Sequence, residues 1–191
     1  MTMTAEQARR ISLVCLDVDG TLTDNGVYIG RAASPDAGTI ELKKFHVADG
    51  LGIKMLQRAG IEVAFISARE SAATALRAEE LGVTYVYQSR SVKKIVALLE
   101  LTSALGIALD DVAFMGDDLA DIPVLKRVGW PVAPANAVPE VLALARVRLT
   151  RAGGDGAVRE FTELVLRTAG TWDALVADYV REAESVGAIA G

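Results

Sequence analysis

The sequence predicts an α/β protein, a Rossmann-like, doubly wound parallel sheet with a small β-hairpin inserted near its start. Three observations predict it. Short apolar runs alternate with segments of helical spacing along most of the chain. Three of those runs end on residues able to do chemistry, Asp17, Ser67 and Asp117. One stretch, 26–45, breaks the alternation with Val-Tyr-Ile, a turn-like segment holding Ser34-Pro35-Asp36, and then Thr-Ile-Glu-Leu-Lys-Lys-Phe.

Taken in order, residues 11–16 form an apolar run that reads as a buried strand. The hairpin at about 25–45 follows it as a cap. Residues 49–59 carry Leu51, Met55, Leu56 and Ala59 at helical spacing and close at Gly60. Residues 62–66 read as a strand stopping at Ser67, 70–81 as a helix ending at Gly82, and 84–87 as a strand rich in β-formers. A helix over 91–105 precedes Gly106, and a strand over 112–115 runs into Gly116-Asp117. The spacing predicts a helix over 118–128, with Pro123 in its first turns, where proline is tolerated. Strands over 130–133 and 147–150 and helices over 157–168 and 171–182 complete the chain. No internal repeat or long linker is visible, so residues 1–191 read as a single domain.

Composition narrows the function. Hydrophobic residues make up 51% and charged residues 24%, an ordinary globular balance. A net charge of −5 argues against nucleic acid, which needs basic surface. No run of about 18 apolar residues suits a membrane span. Cys15 is the only cysteine, so no intrachain disulfide forms. The first ten residues lack the apolar core of a signal peptide, and the expectation is a cytoplasmic protein.

In doubly wound sheets the site lies beyond the carboxyl ends of the strands, where residues distant in sequence converge. Asp17-Val18-Asp19-Gly20-Thr21 follows the first strand directly. Two carboxylates two residues apart can share one site if the backbone turns sharply at Gly20. One can attack phosphorus while the other carries the leaving-group proton, provided their environments differ. Asp-x-Asp-Gly alone is commonly just a turn. A calcium loop counted from Asp17 would need Gly at its sixth position and Glu at its twelfth, where Leu22 and Tyr28 stand. The second cluster is Asp117, Asp118 and Asp121. One of these suits helix capping, but three acids at one strand end repel unless a cation sits among them, and oxygen-only ligands favour Mg2+ or Ca2+ over zinc. Ser67 offers a hydroxyl, and Lys93 or Lys94 opens a helix, where a lysine gains nothing from the helix dipole.

This order (DxDGT, a Ser after the second strand, a Lys, then GDD) resembles the haloacid dehalogenase superfamily. The resemblance implies that Asp17 is the nucleophile forming an aspartyl-phosphate and Asp19 the general acid and then base. Ser67 and Lys93 would hold phosphoryl oxygens. Asp17, the carbonyl of Asp19, and Asp117 would ligate Mg2+, with Asp118 and Asp121 supporting them. Over about 11–170 the chain is similar to the branch of that superfamily that removes phosphate from 3-deoxy-D-manno-octulosonate 8-phosphate (KDO 8-phosphate) in lipopolysaccharide biosynthesis. The stretches that carry this are DVDGTLTDNGVYIG, KKFHVADGLGIKMLQRAGIEVAFISAR, YQSRSVKK, DVAFMGDDLADIPVLKRVG and GGDGAVREF. This branch implies a homotetramer with each hairpin cap near a neighbour's active site. It places Arg69 and Arg77 where arginines meet the sugar carboxylate, whose planar shape the guanidinium matches. His46, the only histidine, lies in a matching stretch, where it can reach phosphate or sugar or serve a structural role.

The chain departs from the branch at several points. Ser67-Ala68-Arg69 replaces Thr-Gly-Arg, Ser89 replaces a Gly, and Asn136-Ala137-Val138-Pro139 replaces Asp-Ala-His-Pro. Relatives acting on nine-carbon sugar-acid phosphates carry Glu where this chain has Arg69, so they form the alternative rather than the first expectation. A non-enzymatic phospho-receiver would need an Asp after the third strand, where Tyr87-Gln88 stands. An inactive scaffold would leave clustered carboxylates without a purpose. A serine hydrolase lacks its Gly-x-Ser-x-Gly, and no Walker-type loop exists. Gly153-Gly154-Asp155-Gly156 reads as a loop that bounds the pocket or places Arg159.

Overall fold

A computed structural model of the chain describes residues 3–31 and 38–188. The chain opens with α1 (Ala5–Arg10), started by a reciprocal cap between Thr4 and Gln7. Then come β1 (Leu13–Leu16), the hairpin of β2 (Tyr28–Arg31) and β3 (Thr39–Leu42), α2 (Val47–Arg58), β4 (Glu62–Ser67), α3 (Ala72–Leu81), β5 (Tyr85–Gln88) and α4 (Lys94–Leu105). The second half holds β6 (Val112–Met115), α5 (Ile122–Leu125), β7 (Trp130–Ala133), α6 (Pro139–Leu144), β8 (Val147–Arg148), α7 (Ala157–Ala169) and α8 (Trp172–Ala188). The expected turn at Ser34-Pro35-Asp36 lies outside the described residues.

Six strands form one parallel sheet in the order β5-β4-β1-β6-β7-β8. Strand residues alternate between two apolar layers. Val14, Leu16, Val63, Phe65, Ala113 and Met115 face α1, α2 and α7, while Leu13, Cys15, Ala64, Ile66, Val112 and Phe114 face α4, α5 and α6. Both faces of β1 are therefore buried, which is why its sequence is an unbroken apolar run rather than an alternating one. Phe65, Phe114 and Phe161 are fully buried and each stabilises the fold by roughly 2–3 kcal/mol.

The hairpin is antiparallel and stands apart from the main sheet, pairing Tyr28 with Leu42 and Ile29 with Glu41. A bridge between Thr23 and Phe45 closes its base.

Two short helices, α1 and α6, are absent from the sequence expectations, because six residues are too few to display a helical period. The helix expected over 118–128 is instead a single tight turn, Leu119–Asp121, followed by the four-residue α5. Pro123 supplies no N–H, and the Asp121 side chain turns back onto the backbone of Asp117 and Asp118.

The chain turns left and right of β1. β4 lies on one side and β6 on the other, with Leu16 in register with both Phe65 and Met115. This is the point at which the strand order reverses, so the residues just after β1, β4 and β6 meet in one crevice.

Candidate active site

Asp17 is the first residue beyond β1, held by a backbone bond from its N–H to Met115 O at 3.0 Å. The chain then makes a tight turn over Val18–Leu22, closed by Thr23 N–H donating to Val18 O at 3.0 Å. The Thr23 hydroxyl also donates to Val18 O and accepts from Gly20 N–H, which ties the turn from inside. Gly20 has φ +89, and a Cβ there would lie 2.1 Å from Asp117 Oδ2. Only glycine satisfies both the left-handed backbone and this approach.

The turn brings Asp17 and Asp117 together, and Asp121 joins them. Each of the three offers a carboxylate oxygen within 4.8 Å of the others, and all three are buried. Thr21 Oγ1 donates to Asp117 Oδ1 at 3.3 Å. Asp121 Oδ2 accepts from the N–H groups of Asp117 and Asp118 at 3.0 and 3.2 Å. Its Oδ1 takes a bond from Lys94 Nζ at 2.7 Å, and the same ammonium donates to Asp17 Oδ1 at 2.5 Å. Three carboxylates against one ammonium leave two uncompensated negative charges, the charge of one divalent cation.

The titration behaviour follows from this crowding. Burial first, and then the neighbouring Asp121, raise the Asp17 carboxyl well above the ordinary range, with Lys94 opposing. Burial and Asp121 push Asp117 up to about 6. Burial works against the Lys94 ammonium, but Asp17 and Asp121 outweigh it and raise its pKa. Every donor in the cluster is a carboxylate oxygen, the set that suits a hard divalent cation such as Mg2+. The residues present therefore fit a metal.

The structure separates the two adjacent lysines, Lys93 and Lys94. It occupies the exposed position just before α4, while the adjacent Lys94 is the lysine that reaches Asp17. Consecutive helical residues point about 100° apart, so only one of a Lys-Lys pair can face the crevice. The preceding loop sets which one. Ser89 Oγ accepts from the N–H groups of Ser91 and Val92, a turn that starts the helix at Lys94.

Ser67 closes β4 and is buried, with its hydroxyl both accepting from Arg69 N–H and donating to Arg69 O. Arg69 is ion-paired with Glu41 of β3, and Glu41 also accepts from Ser71 Oγ at 2.5 Å. Asp19 is partly exposed, and Lys43 Nζ stands 2.7 Å from its Oδ1 without hydrogen-bond alignment, so an ion pair holds them. Asp118 is exposed and its side chain caps Leu119 N–H at 2.7 Å.

Arg77 and His46 make none of their described contacts with the acid cluster. Arg77 is ion-paired with Glu80, stacks over the Phe45 ring and donates to the His46 carbonyl, bracing the start of α2. His46 occupies the residue just before α2, and its Nδ1 is buried without a partner.

Two departures acquire a physical reason. Asn136 Nδ2 donates to Gly20 O at 2.8 Å while its Oδ1 accepts from Gly153 N–H at 2.6 Å. An amide performs both tasks and an ionised carboxylate only the second. Gly153 packs directly on the turn, where a Cβ would lie 1.9 Å from Gly20 O. The glycine-rich loop thus buttresses the Asp17–Asp19 turn from below. Val138 N–H donates to Asp117 O at 2.9 Å, so this position contributes its backbone.

Sequence reasoning missed Glu41, Lys43 and Asp49. Asp49 of α2 is buried and accepts from Gly156 N–H at 3.2 Å and Arg159 N–H at 2.8 Å, capping α7 from another helix. All three lie on or next to the hairpin and α2, where the sequence shows only charges in an amphipathic stretch. A concavity lined by Ile11, Ala59, Leu166 and Leu175 lies at the opposite end of the sheet and holds no cluster of ionisable groups.

Comparison with known proteins places this geometry. Residues 86–161 match the haloacid dehalogenase-like hydrolase family. The chain is 41% identical over 167 residues to the 3-deoxy-D-manno-octulosonate 8-phosphate phosphatase of Escherichia coli, covering 87% of this chain and 85% of that protein. The solved structure of the enzyme of that name from Moraxella catarrhalis, in complex with magnesium, phosphate and KDO, superposes with a TM-score of 0.83 at 36% identity, covering 92% of this chain and 97% of that one. The cobalt-bound deoxy-D-mannose-octulosonate 8-phosphate phosphatase of Haemophilus influenzae gives a TM-score of 0.76 at 34% identity, covering 86% and 92%.

Proposed function

The chain belongs to the haloacid dehalogenase-like hydrolases, in the branch of the 3-deoxy-D-manno-octulosonate 8-phosphate phosphatases, and from that premise we propose that it hydrolyses this eight-carbon sugar-acid ester. The observation that carries the reading is the buried Asp17–Asp117–Asp121 cluster, two charges short of neutrality, at the reversal point of the sheet.

In this reading Asp17 attacks phosphorus, the bond to the sugar oxygen breaks, and Asp19 gives that oxygen its proton. Asp19 then takes a proton from water as the water oxygen attacks phosphorus and releases Asp17. Lys94 keeps Asp17 oriented and offsets part of the cluster's charge, while Ser67, after rotating out of its own turn, donates to the phosphoryl group. Asp17, Asp117 and the backbone carbonyl of Asp19 would hold Mg2+, with Asp121 fixing the backbone of Asp117 and Asp118 behind them. Bound there, the ion supplies positive charge against the phosphoryl oxygens.

Arg69 supports the sugar-acid part of the proposal. Its guanidinium already binds one carboxylate, that of Glu41, and a substrate carboxylate offers the same planar partner. The hairpin supports assembly as a homotetramer. Tyr28, Ile40 and Leu42 share one face of it and are all exposed. A two-stranded hairpin is marginal alone and an apolar face on it marks a contact surface. The proposed enzyme acts in the cytoplasm; among the described residues no helix is long and apolar enough to cross a membrane.

The test is phosphate release, with Mg2+ and with EDTA, from 3-deoxy-D-manno-octulosonate 8-phosphate, a nine-carbon sugar-acid 9-phosphate and hexose phosphates. Mg2+-dependent preference for the octulosonate ester is expected. Preference for another ester would keep the chemistry and move the substrate. No release from any ester would overturn the proposal.

A further inference from the structure

Lys43 directly follows β3, and its side chain is fully covered. Removing an ammonium from water costs several kcal/mol unless a counter-charge replaces its hydration. Here that counter-charge is Asp19, 2.7 Å away through Oδ1, and the second polar neighbour is Thr74 Oγ1 in the first turn of α3, at 3.4 Å. One ammonium therefore ties the hairpin, α3 and the turn after the nucleophile. Asp19 Oδ1 is buried and has no hydrogen-bond partner, so the ion pair is what restrains it. The Asp19 side chain is nevertheless 23% exposed, and that exposure lies away from Oδ1.

We propose that Lys43 is a positioning residue for proton transfer, holding Oδ1 of Asp19 so that Oδ2 is the oxygen that gives the proton to the departing alcohol. The inference rests on the reading above, in which Asp19 is the proton donor. As the bond from Asp17 to phosphorus forms and the bond to the sugar oxygen breaks, the proton moves from Oδ2 to that oxygen. Asp19 is left ionised beside a fixed positive charge. Hydrolysis of the phosphoenzyme reverses the proton's path, from water to Oδ2. Strand geometry explains how the hairpin can supply this. Glu41 and Lys43 are two apart along an extended chain and so share a side, one engaging Arg69 and Ser71, the other Asp19.

The experiment compares two substrates by kcat/KM, which reports transfer to Asp17 and not the later hydrolysis. A sugar ester leaves poorly without a proton, whereas p-nitrophenyl phosphate releases a stable anion. Lys43→Met, Lys43→Gln, Lys43→Arg and Asp19→Asn are measured on both, with thermal melts. The expected result is a loss of about 10- to 100-fold on the octulosonate ester in Lys43→Met and Lys43→Gln, within what general acid catalysis supplies. Activity on p-nitrophenyl phosphate should stay within about threefold, which also shows that the Asp17 site is folded. Lys43→Arg should recover most of the loss. Adding Lys43→Met to Asp19→Asn should cost little more than Asp19→Asn alone. Equal losses on both substrates in a variant that melts cooperatively, or no loss on either, would overturn the role of Lys43. If Asp19→Asn itself shows no leaving-group dependence, it is the assignment of Asp19 that fails.

Discussion

Asp17 stands beside two other buried acids and one ammonium, so replacing it changes charge as well as chemistry. Asp17→Asn should lower turnover by more than about a thousandfold, as loss of a covalent nucleophile does. The same change removes a carboxylate that burial disfavours, so the melting temperature without metal should not fall. Phosphate release and a thermal melt on one preparation check both, and substantial residual turnover would displace Asp17 as nucleophile. The two adjacent lysines give a second contrast. Lys94→Met should abolish turnover, because two buried carboxylates lose their shared partner, while Lys93→Met should stay within about threefold of the parent. Parallel assays of the pair decide it, and the reverse pattern would restore Lys93. Asp117 supplies the pH dependence. Its folded pKa, about 6, lies above the ordinary carboxylate value. The folded chain thus holds that proton more tightly than the unfolded chain, and this group's contribution to stability falls as pH rises from about 4 to 6. Metal binding requires the ionised form, so Mg2+ should raise the melting temperature more at about pH 7.5 than at about pH 5.5. Equal stabilisation at both would remove Asp117 from the metal set.

At the scale of elements, the site depends on turns and helix ends more than on the strands that carry them. α7 is preceded by Gly156, which has no side chain to cap it, and Asp49 of α2 supplies the missing carboxylate to the N–H groups of Gly156 and Arg159. Burial raises the Asp49 pKa, and the bonds from Arg159 and Gly156 oppose that rise. Asp49→Ala should cost about 1–2 kcal/mol, the usual worth of a helix cap. Urea unfolding measures it, and a loss below a few tenths of a kcal/mol would mean that water caps α7 equally well. Because the loop before α7 packs on Gly20, the same variant should also weaken Mg2+ binding.

At the scale of the whole molecule, the sheet has both faces covered by helices, while the hairpin projects an uncovered apolar face. Leu42→Glu puts a charge on that face without touching Glu41 or Lys43, which face the other way. It should convert the proposed tetramer into smaller species by light scattering. If each cap completes a neighbour's site, activity on the sugar-acid ester should fall with assembly more than activity on p-nitrophenyl phosphate. An unchanged assembly would place the interface elsewhere.

The parallel sheet, the hairpin and the acids at Asp17, Asp19, Asp117 and Asp121 were legible in the amino-acid order. A buried strand must be apolar throughout, and a crevice residue must follow its strand directly, so both leave local marks. What local marks do not carry is direction. Lys93 and Lys94 are equivalent as letters, and only the turn at Ser89 and the start of α4 decide which one points at Asp17. Arg77 reads as a substrate contact in sequence, and only the fold sets it against Phe45, the His46 carbonyl and Glu80. Glu41, Lys43 and Asp49 carry ordinary surface chemistry in sequence and become site residues because partners 28, 24 and 107 positions away are folded against them. The sequence by itself determined the layer order and the acids at the strand ends, since burial and strand termination are local. Tertiary structure alone decided which charges are paired, because an ion pair depends on distances that the chain closes only when the sheet, the hairpin and the helices meet.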